Sequence, residues 1–333
     1  MHYNKFLMIF ISLMGFMVSA LHAEYVFKNG WFVDADEVVT LSLEEHFKLG
    51  VEAMKSKDWL TASKQLRIVS VNFPDTPQGQ ESSYLLGIAY YKLDDLESAN
   101  ELFSRYLKSS NNLQHFEDAI HYKYHIADLF KNGSKRHFFG TKHLPKLASG
   151  RGLAGEIFEE IVATVPCHPL AALALKSKAE MLREDGIYSN SIEVYQQLIR
   201  RFPKHEFAPQ SYVAISEVYI DRSLYEEQNP DLLDFAEINL KRFQQDFPRD
   251  EKVAVLEKNL LQLKEIYANA LYETGQFYER TKHPQASLIY YQNAVKKFPE
   301  TEVSHRCQKR LVELTGTPYT PKNEPEKLGN DQA

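Results

Sequence analysis

Cysteine is nearly absent: Cys167 and Cys307 are the only two in 333 residues. That excludes a disulfide framework as the source of stability, and their wide separation leaves two unpaired, partly buried thiols as the expected state. Neither stands near the N-terminus, so no lipid-attachment cysteine is expected at a leader cleavage site. Long apolar runs are equally scarce. Phe6 to Ala20 is the one candidate, and it falls short of the roughly 20 residues that a spanning helix needs. Charge of one sign is lacking too. The 39 basic and 45 acidic side chains leave a net −6 and a pI of about 6.1, which gives no electrostatic reason to expect nucleic acid. No nucleophile elbow, phosphate loop or paired-carboxylate site is visible. The acidic residues are spread along helix faces, where solvated charge is the default. No catalytic function, cofactor or metal is expected.

What is present begins with a leader. Met1 to Lys5 is polar, Phe6 to Ala20 apolar, and small residues close the run, which is the layout of a secretory signal. Cleavage after Ala20 or Ala23 fits. Residues 1–23 are read as the signal and the mature chain as exported to the periplasm; losing Lys5 takes the net charge from −6 to −7. Apolar residues make up 44% of the chain, enough for a buried core.

Internal self-similarity is the strongest signal. Phe-Pro recurs at Phe73-Pro74, Phe202-Pro203, Phe247-Pro248 and Phe298-Pro299, with Val165-Pro166 as a variant. Twelve residues before each proline stands a small residue: Ala62, Ser191, Ala236, Ser287 and Ala154. Where the spacing is uninterrupted, another small residue lies twelve further upstream, pairing Gly50 with Ala62, Ala179 with Ser191 and Gly275 with Ser287; Gly87 and Ala99 keep the spacing without the proline. Two antiparallel helices cross closely where each offers a small side chain, and a proline ends the second. Four residues after the second small residue comes a large one, Leu66, Phe103, Phe158, Tyr195, Leu240 or Tyr291, to fill the interhelical space.

This is the tetratricopeptide pattern. It predicts an all-α superhelical solenoid of about six helix pairs over residues 41–314, with pairs at 43–74, 80–113, 116–166, 170–203, 208–248 and 253–299 and a closing helix at 301–314. Insertions are expected at about 132–151 and 221–233. Residues 24–40, with Trp31 and Phe32, match no repeat and are expected to pack on the first pair as an N-terminal extension. The proline-bearing tail 315–333 is expected to be disordered.

Three motifs have a bland and a sharp reading. Gly150-Arg151-Gly152-Leu153-Ala154-Gly155 fits the dinucleotide-loop spacing, but no strand precedes it, and a flexible helix entry accounts for it. His121 and His125 stand four apart, with no glutamate between them and no third ligand placed, so helix-surface histidines are expected. The 132–151 insertion is basic, with Lys131, Lys135, Arg136, Lys142, Lys146 and Arg151 around Phe138 and Phe139. It reads either as a dock for anionic head groups or an acidic partner, or as a solvated loop whose phenylalanines tuck back.

Repeat register also marks positions for the concave face: three before the first small residue, then one and four after it. These are Phe47, Val51 and Met54 in the first pair, Tyr84, Ile88 and Tyr91 in the second, and Tyr124 in the third. A groove of aromatics and methionine accepts an extended peptide with apolar side chains. The alternative is extra core against the N-terminal extension. In the fourth pair the equivalents are Lys176, Glu180 and Arg183, so the face turns polar.

The chain resembles BamD, the repeat lipoprotein family of the outer-membrane β-barrel assembly machinery. The likeness is most specific over residues 221–314: Asn229-Pro230-Asp231, Phe235-Ala236, Phe243, Phe247-Pro248, a long helix with Leu260, Leu263, Tyr267, Leu271 and Tyr272, then Tyr278-Glu279-Arg280, Ala286-Ser287, Tyr291 and Phe298-Pro299-Glu300-Thr301. Phe73-Pro74-Asp75-Thr76 has the same character. The resemblance implies a non-catalytic scaffold peripheral to the outer membrane. Its N-terminal repeats would hold segments of unfolded outer-membrane proteins, with Phe47, Tyr84 and Tyr91 facing them. Its C-terminal repeats would dock on the barrel-forming assembly subunit, near Tyr278 and Arg280. The family is anchored by an N-terminal lipidated cysteine and is shorter. The alternative is a soluble periplasmic repeat adaptor for division or secretion complexes.

Overall fold

The computed structural model describes residues 25–28, 31–34, 37–109, 114–138, 144–225, 229 and 231–319. The signal at 1–23 lies outside them, as does the tail beyond residue 319. Thirteen helices occur among the described residues. They are α1 (Leu43–Ser56), α2 (Trp59–Asn72), α3 (Pro77–Lys92), α4 (Leu96–Ser109), α5 (Phe116–Lys131), α6 (Arg151–Thr164), α7 (Pro169–Glu184), α8 (Tyr188–Arg201), α9 (Phe207–Ser223), α10 (Asp231–Asp246), α11 (Val253–Arg280), α12 (Pro284–Lys297) and α13 (Glu302–Thr315). They match the expected pairs one for one, and the protein is an all-α tetratricopeptide-repeat chain. Its contacts divide into two compact units, with the boundary between Ser177 and Lys178, inside α7.

The helix ends follow from local chemistry. Ser42 and Glu45 form a reciprocal capping box at α1, Thr76 caps α3 ahead of Pro77, and Thr301 caps α13 by accepting from the Ser304 amide at 3.1 Å. The second helices of four pairs end alike: Phe73, Val165, Phe202 and Phe298 sit at φ between −127° and −134° and ψ between 48° and 64°. The following proline forbids the helical conformation there.

Small residues close the pairs as the spacing predicts. A Cβ at Gly50 would lie 2.7 Å from the Leu66 side chain, one at Gly87 2.9 Å from Phe103, and one at Gly275 2.5 Å from Tyr291. In the fourth pair Ser191 Oγ donates to the Ala179 carbonyl at 2.8 Å. Gly150, from the dinucleotide-like motif, opens α6 with Phe130 pressed against it; a Cβ would stand 2.2 Å from that ring. Its role is packing.

Two short antiparallel hairpins depart from the strand-free expectation. β1 (Tyr25–Lys28) pairs with β2 (Trp31–Asp34) within the N-terminal extension. Just after it, the Glu37 carboxylate accepts from Arg67 at 2.7 Å and its carbonyl from Asn72, tying the extension to α2. β3 (Lys135–His137) pairs with β4 (Lys146–Ser149) inside the third-pair insertion. Three- and four-residue strands are too short to leave a period-two pattern in a sequence.

Candidate peptide-binding face and docking end

In unit 1 the first helices of the pairs line up the predicted positions. Spacings of four and three put Phe47, Val51 and Met54 on one stripe of α1, and the same spacing sets Tyr84, Ile88 and Tyr91 on α3. All but Tyr84 are half-buried, as is Tyr124 on α5. Phe47 and Met54 lie against a core of Ala53, Ala62, Leu66, Leu86, Ala89 and Leu102.

Tyr84 differs from the expected open groove. It is only 6% exposed, with its ring stacked on His115 at 4.3 Å and 3° and a further 5.4 Å from Tyr106. Its hydroxyl donates to Asp118 at 3.4 Å. Burial, then the Asp118 charge, pushes the phenol well above its ordinary pKa. The ring serves the α3–α5 interface, because the chain entering α5 brings His115 across it.

Tyr91 is edge-on to Tyr122 at 5.2 Å, and Tyr122 in turn stacks on Phe103 at 5.1 Å. Lys92 Nζ stands 5.7 Å from the centre of the Tyr91 ring. Tyr124 exchanges a hydrogen bond with Ser177 at 3.0 Å and tilts against Phe158. Tyr122 was not among the register positions. Its neighbourhood to Tyr91 depends on how α3 and α5 meet, which spacing within one helix does not carry.

Beneath this face lies a charge that sequence reading missed. Lys123 on α5 is fully buried, and its ammonium donates to Asn100 Oδ1 at 2.8 Å, to Ser104 Oγ and to Glu160 Oε2 at 2.7 Å. Burial pulls the Lys123 pKa down, against the opposing pull of Glu160. Burial alone would raise Glu160; the bond and charge of Lys123, with Ser104, outweigh it and hold the carboxyl below its ordinary value. The only hint in the sequence is a lysine within the stripe Ala119, Ile120, Ile126, Ala127 and Phe130.

The basic insertion is largely occupied by its own chain. Arg136 Nε donates to Glu97 at 3.2 Å, the His137 amide donates to the same carboxylate at 2.7 Å, and Lys146 bonds Asp94. Phe138 is 45% exposed rather than tucked back. Phe139, Lys142 and His143 lie outside the described residues. His121 and His125 are exposed on α5, and among the described residues no His, Cys, Asp and Glu group is arranged to hold a metal. Cys167 is exposed and Cys307 buried, both unpaired; burial pushes the Cys307 thiol up to about 12.

Unit 2 holds the other predicted residues. Arg183 is spent on α9, donating to Glu217 at 2.5 Å and Asp221 at 2.6 Å. Tyr278 stacks on Tyr290 at 5.3 Å and 14°, with Phe277 edge-on. Arg280 is exposed in the last turn of α11. Lys176 and Glu180 are half-buried on α7. No described helix is long and apolar enough to cross a membrane.

A protein-family model described as "YfiO: Outer membrane lipoprotein" matches residues 41–221. The match therefore covers the repeats up to the end of α9, ahead of the 221–314 stretch where the sequence likeness was most specific. No curated protein matches. Among solved structures, a MamA fragment from Desulfovibrio magneticus RS-1 is 18% identical, covering 65% of this chain and 95% of that one at a TM-score of 0.32. A tetratricopeptide-repeat protein from Parabacteroides merdae is 13% identical, covering 83% and 99% at 0.33. PilW, described as a type IV pilus biogenesis factor, is 13% identical, covering 80% and 99% at 0.27. Scores this low carry no functional meaning.

Proposed function

Because the chain belongs to the YfiO family of outer membrane lipoproteins, we propose that it is a non-catalytic repeat scaffold of outer-membrane β-barrel assembly, working on the periplasmic side of that membrane. In this reading unit 1 holds extended segments of unfolded outer-membrane proteins on Phe47, Val51, Met54, Ile88, Tyr91 and Tyr124, with Tyr122 beside them. Tyr84 supports that face from within. The α11 end around Tyr278 and Arg280 engages the barrel-forming assembly subunit.

The observation that carries the reading is the half-buried state of the unit 1 residues. Phe47 and Met54 are anchored on a core, and all six residues keep surface open, which is what an aromatic-bearing peptide needs in order to bury area without reorganising its host. Affinity purification of the tagged chain from detergent-solubilised envelopes tests the assignment. Co-purification of a barrel-forming outer-membrane subunit is expected, reduced by Tyr278→Ala combined with Arg280→Ala. Recovery solely from the soluble periplasm, without such a subunit, would contradict it and fit an adaptor instead.

A further inference from the structure

We propose that unit 2 carries a phosphate-recognition site in the cleft between α11 and α13, and that through it the protein holds the phosphate head groups of an anionic membrane surface. The cleft is a cavity of about 450 Å3. Arg280 reaches it from α11, and Arg306, Lys309 and Arg310 from α13. Two carboxylates also line it, Glu279 and Glu313, and Arg310 answers both. Its Nε lies 3.0 Å from each Glu279 oxygen and its Nη1 2.6 Å from Glu313. Four cations against two anions leave the cleft at +2, with Arg280, Arg306 and Lys309 in no ion pair among the described residues.

Arg306 is already positioned. Its guanidinium lies 5.1 Å from the centre of the Tyr272 ring, whose hydroxyl is held by Gln276 at 2.9 Å, and its remaining contact is a marginal 3.5 Å to Asn269. Two guanidinium groups and an ammonium converging on one opening suit an oxyanion that offers several acceptor oxygens, which is the chemistry of a phosphate. Lipid is favoured as the source because apolar side chains stand exposed on the same two helices. Phe277 is 52% exposed, Val312 40% and Leu314 37%. Cations and exposed apolar side chains carried on one pair of helices suit a head-group layer; a dissolved anion has no use for the apolar part.

Co-flotation of the full mature chain with vesicles of phosphatidylcholine alone, or mixed with phosphatidylglycerol, tests this with no partner subunit present. That condition separates it from the docking role that shares Arg280. Binding only to the mixed vesicles is expected. Arg280→Gln with Lys309→Gln should weaken it about twenty-fivefold, at roughly fivefold for each cation removed. Both side chains are exposed, so the circular dichroism melt should not move. Lys64→Gln with Lys204→Gln, which removes the same charge at two exposed positions elsewhere, should leave binding intact. An equal loss in that control, or no flotation by the parent chain, would overturn the proposal. Absence of flotation combined with a thermal shift by inorganic phosphate that needs Arg280 would overturn the membrane source and leave a soluble phosphate ligand.

Discussion

At Gly275 one hydrogen atom decides how closely α11 and α12 approach. A methyl group there would stand 2.5 Å from the Tyr291 ring, which is fully buried and cannot retreat: its hydroxyl donates to Glu279, itself held by Arg310. Overpacking costs about 1–3 kcal/mol, and an alanine returns about 1 through helix propensity. Gly275→Ala is therefore expected to lose on the order of 1 kcal/mol, read as a lower denaturation midpoint. An unchanged midpoint would mean that the crossing is looser than the geometry states. Such glycines were legible because they recur at fixed distance from Ser287 and Tyr291. Lys123 and Tyr84 were not. A lysine on a helix reads as solvated charge until Asn100, Ser104 and Glu160 arrive from two other helices. Tyr84 satisfies the register rule for an open face, yet His115 covers it.

At the scale of elements, four of the six helix pairs share one turn. Lys57, Asp94, Gly186 and Lys282 each stand seven residues after the first small residue of a pair, and all have positive φ, between 61° and 74°. Nothing lies within 4 Å of a Cβ built at Gly186, so substitution there meets backbone strain alone. Gly186→Ala should cost about 1 kcal/mol. Lys282→Gly, which relieves strain but loosens the unfolded chain, should change stability by less than about 0.5. Equal effects at the two sites would refute the shared-turn account. The α11–α13 contact adds a pH dependence. The Arg310 hydrogen bond, ahead of opposing burial and the Tyr291 bond, holds the Glu279 carboxyl below its ordinary value. A carboxyl depressed on folding stabilises fully above its unfolded pKa, about 4.3, and loses that contribution as pH falls through the folded value. Acid melting of the parent chain should thus steepen below about pH 4.3, and Arg310→Gln should flatten that dependence while lowering stability at neutral pH. The hairpins were the elements that could not be foreseen. β3 and β4 are held by Glu97 and Asp94, acids belonging to the preceding pair, and not by a pattern of their own.

For the whole molecule, six pairs and a closing helix were readable from prolines and small residues, whereas the division at Ser177 was not, because it falls inside a helix with unbroken register. In unit 1, Phe47, Met54, Ile88, Tyr91 and Tyr124 remain half-buried, with Phe47 and Met54 set on a finished core. The most direct measurement is titration of the mature full-length chain into a fluorescently labelled peptide with alternating aromatic residues. Saturable binding is predicted, weakened roughly tenfold by Tyr91→Ala, a loss typical of one aromatic anchor, and unaffected by Tyr278→Ala. A polar peptide of equal length should not bind. If Tyr91→Ala, still folded by circular dichroism, bound the aromatic peptide as tightly as the parent chain, unit 1 would not be the client-binding face.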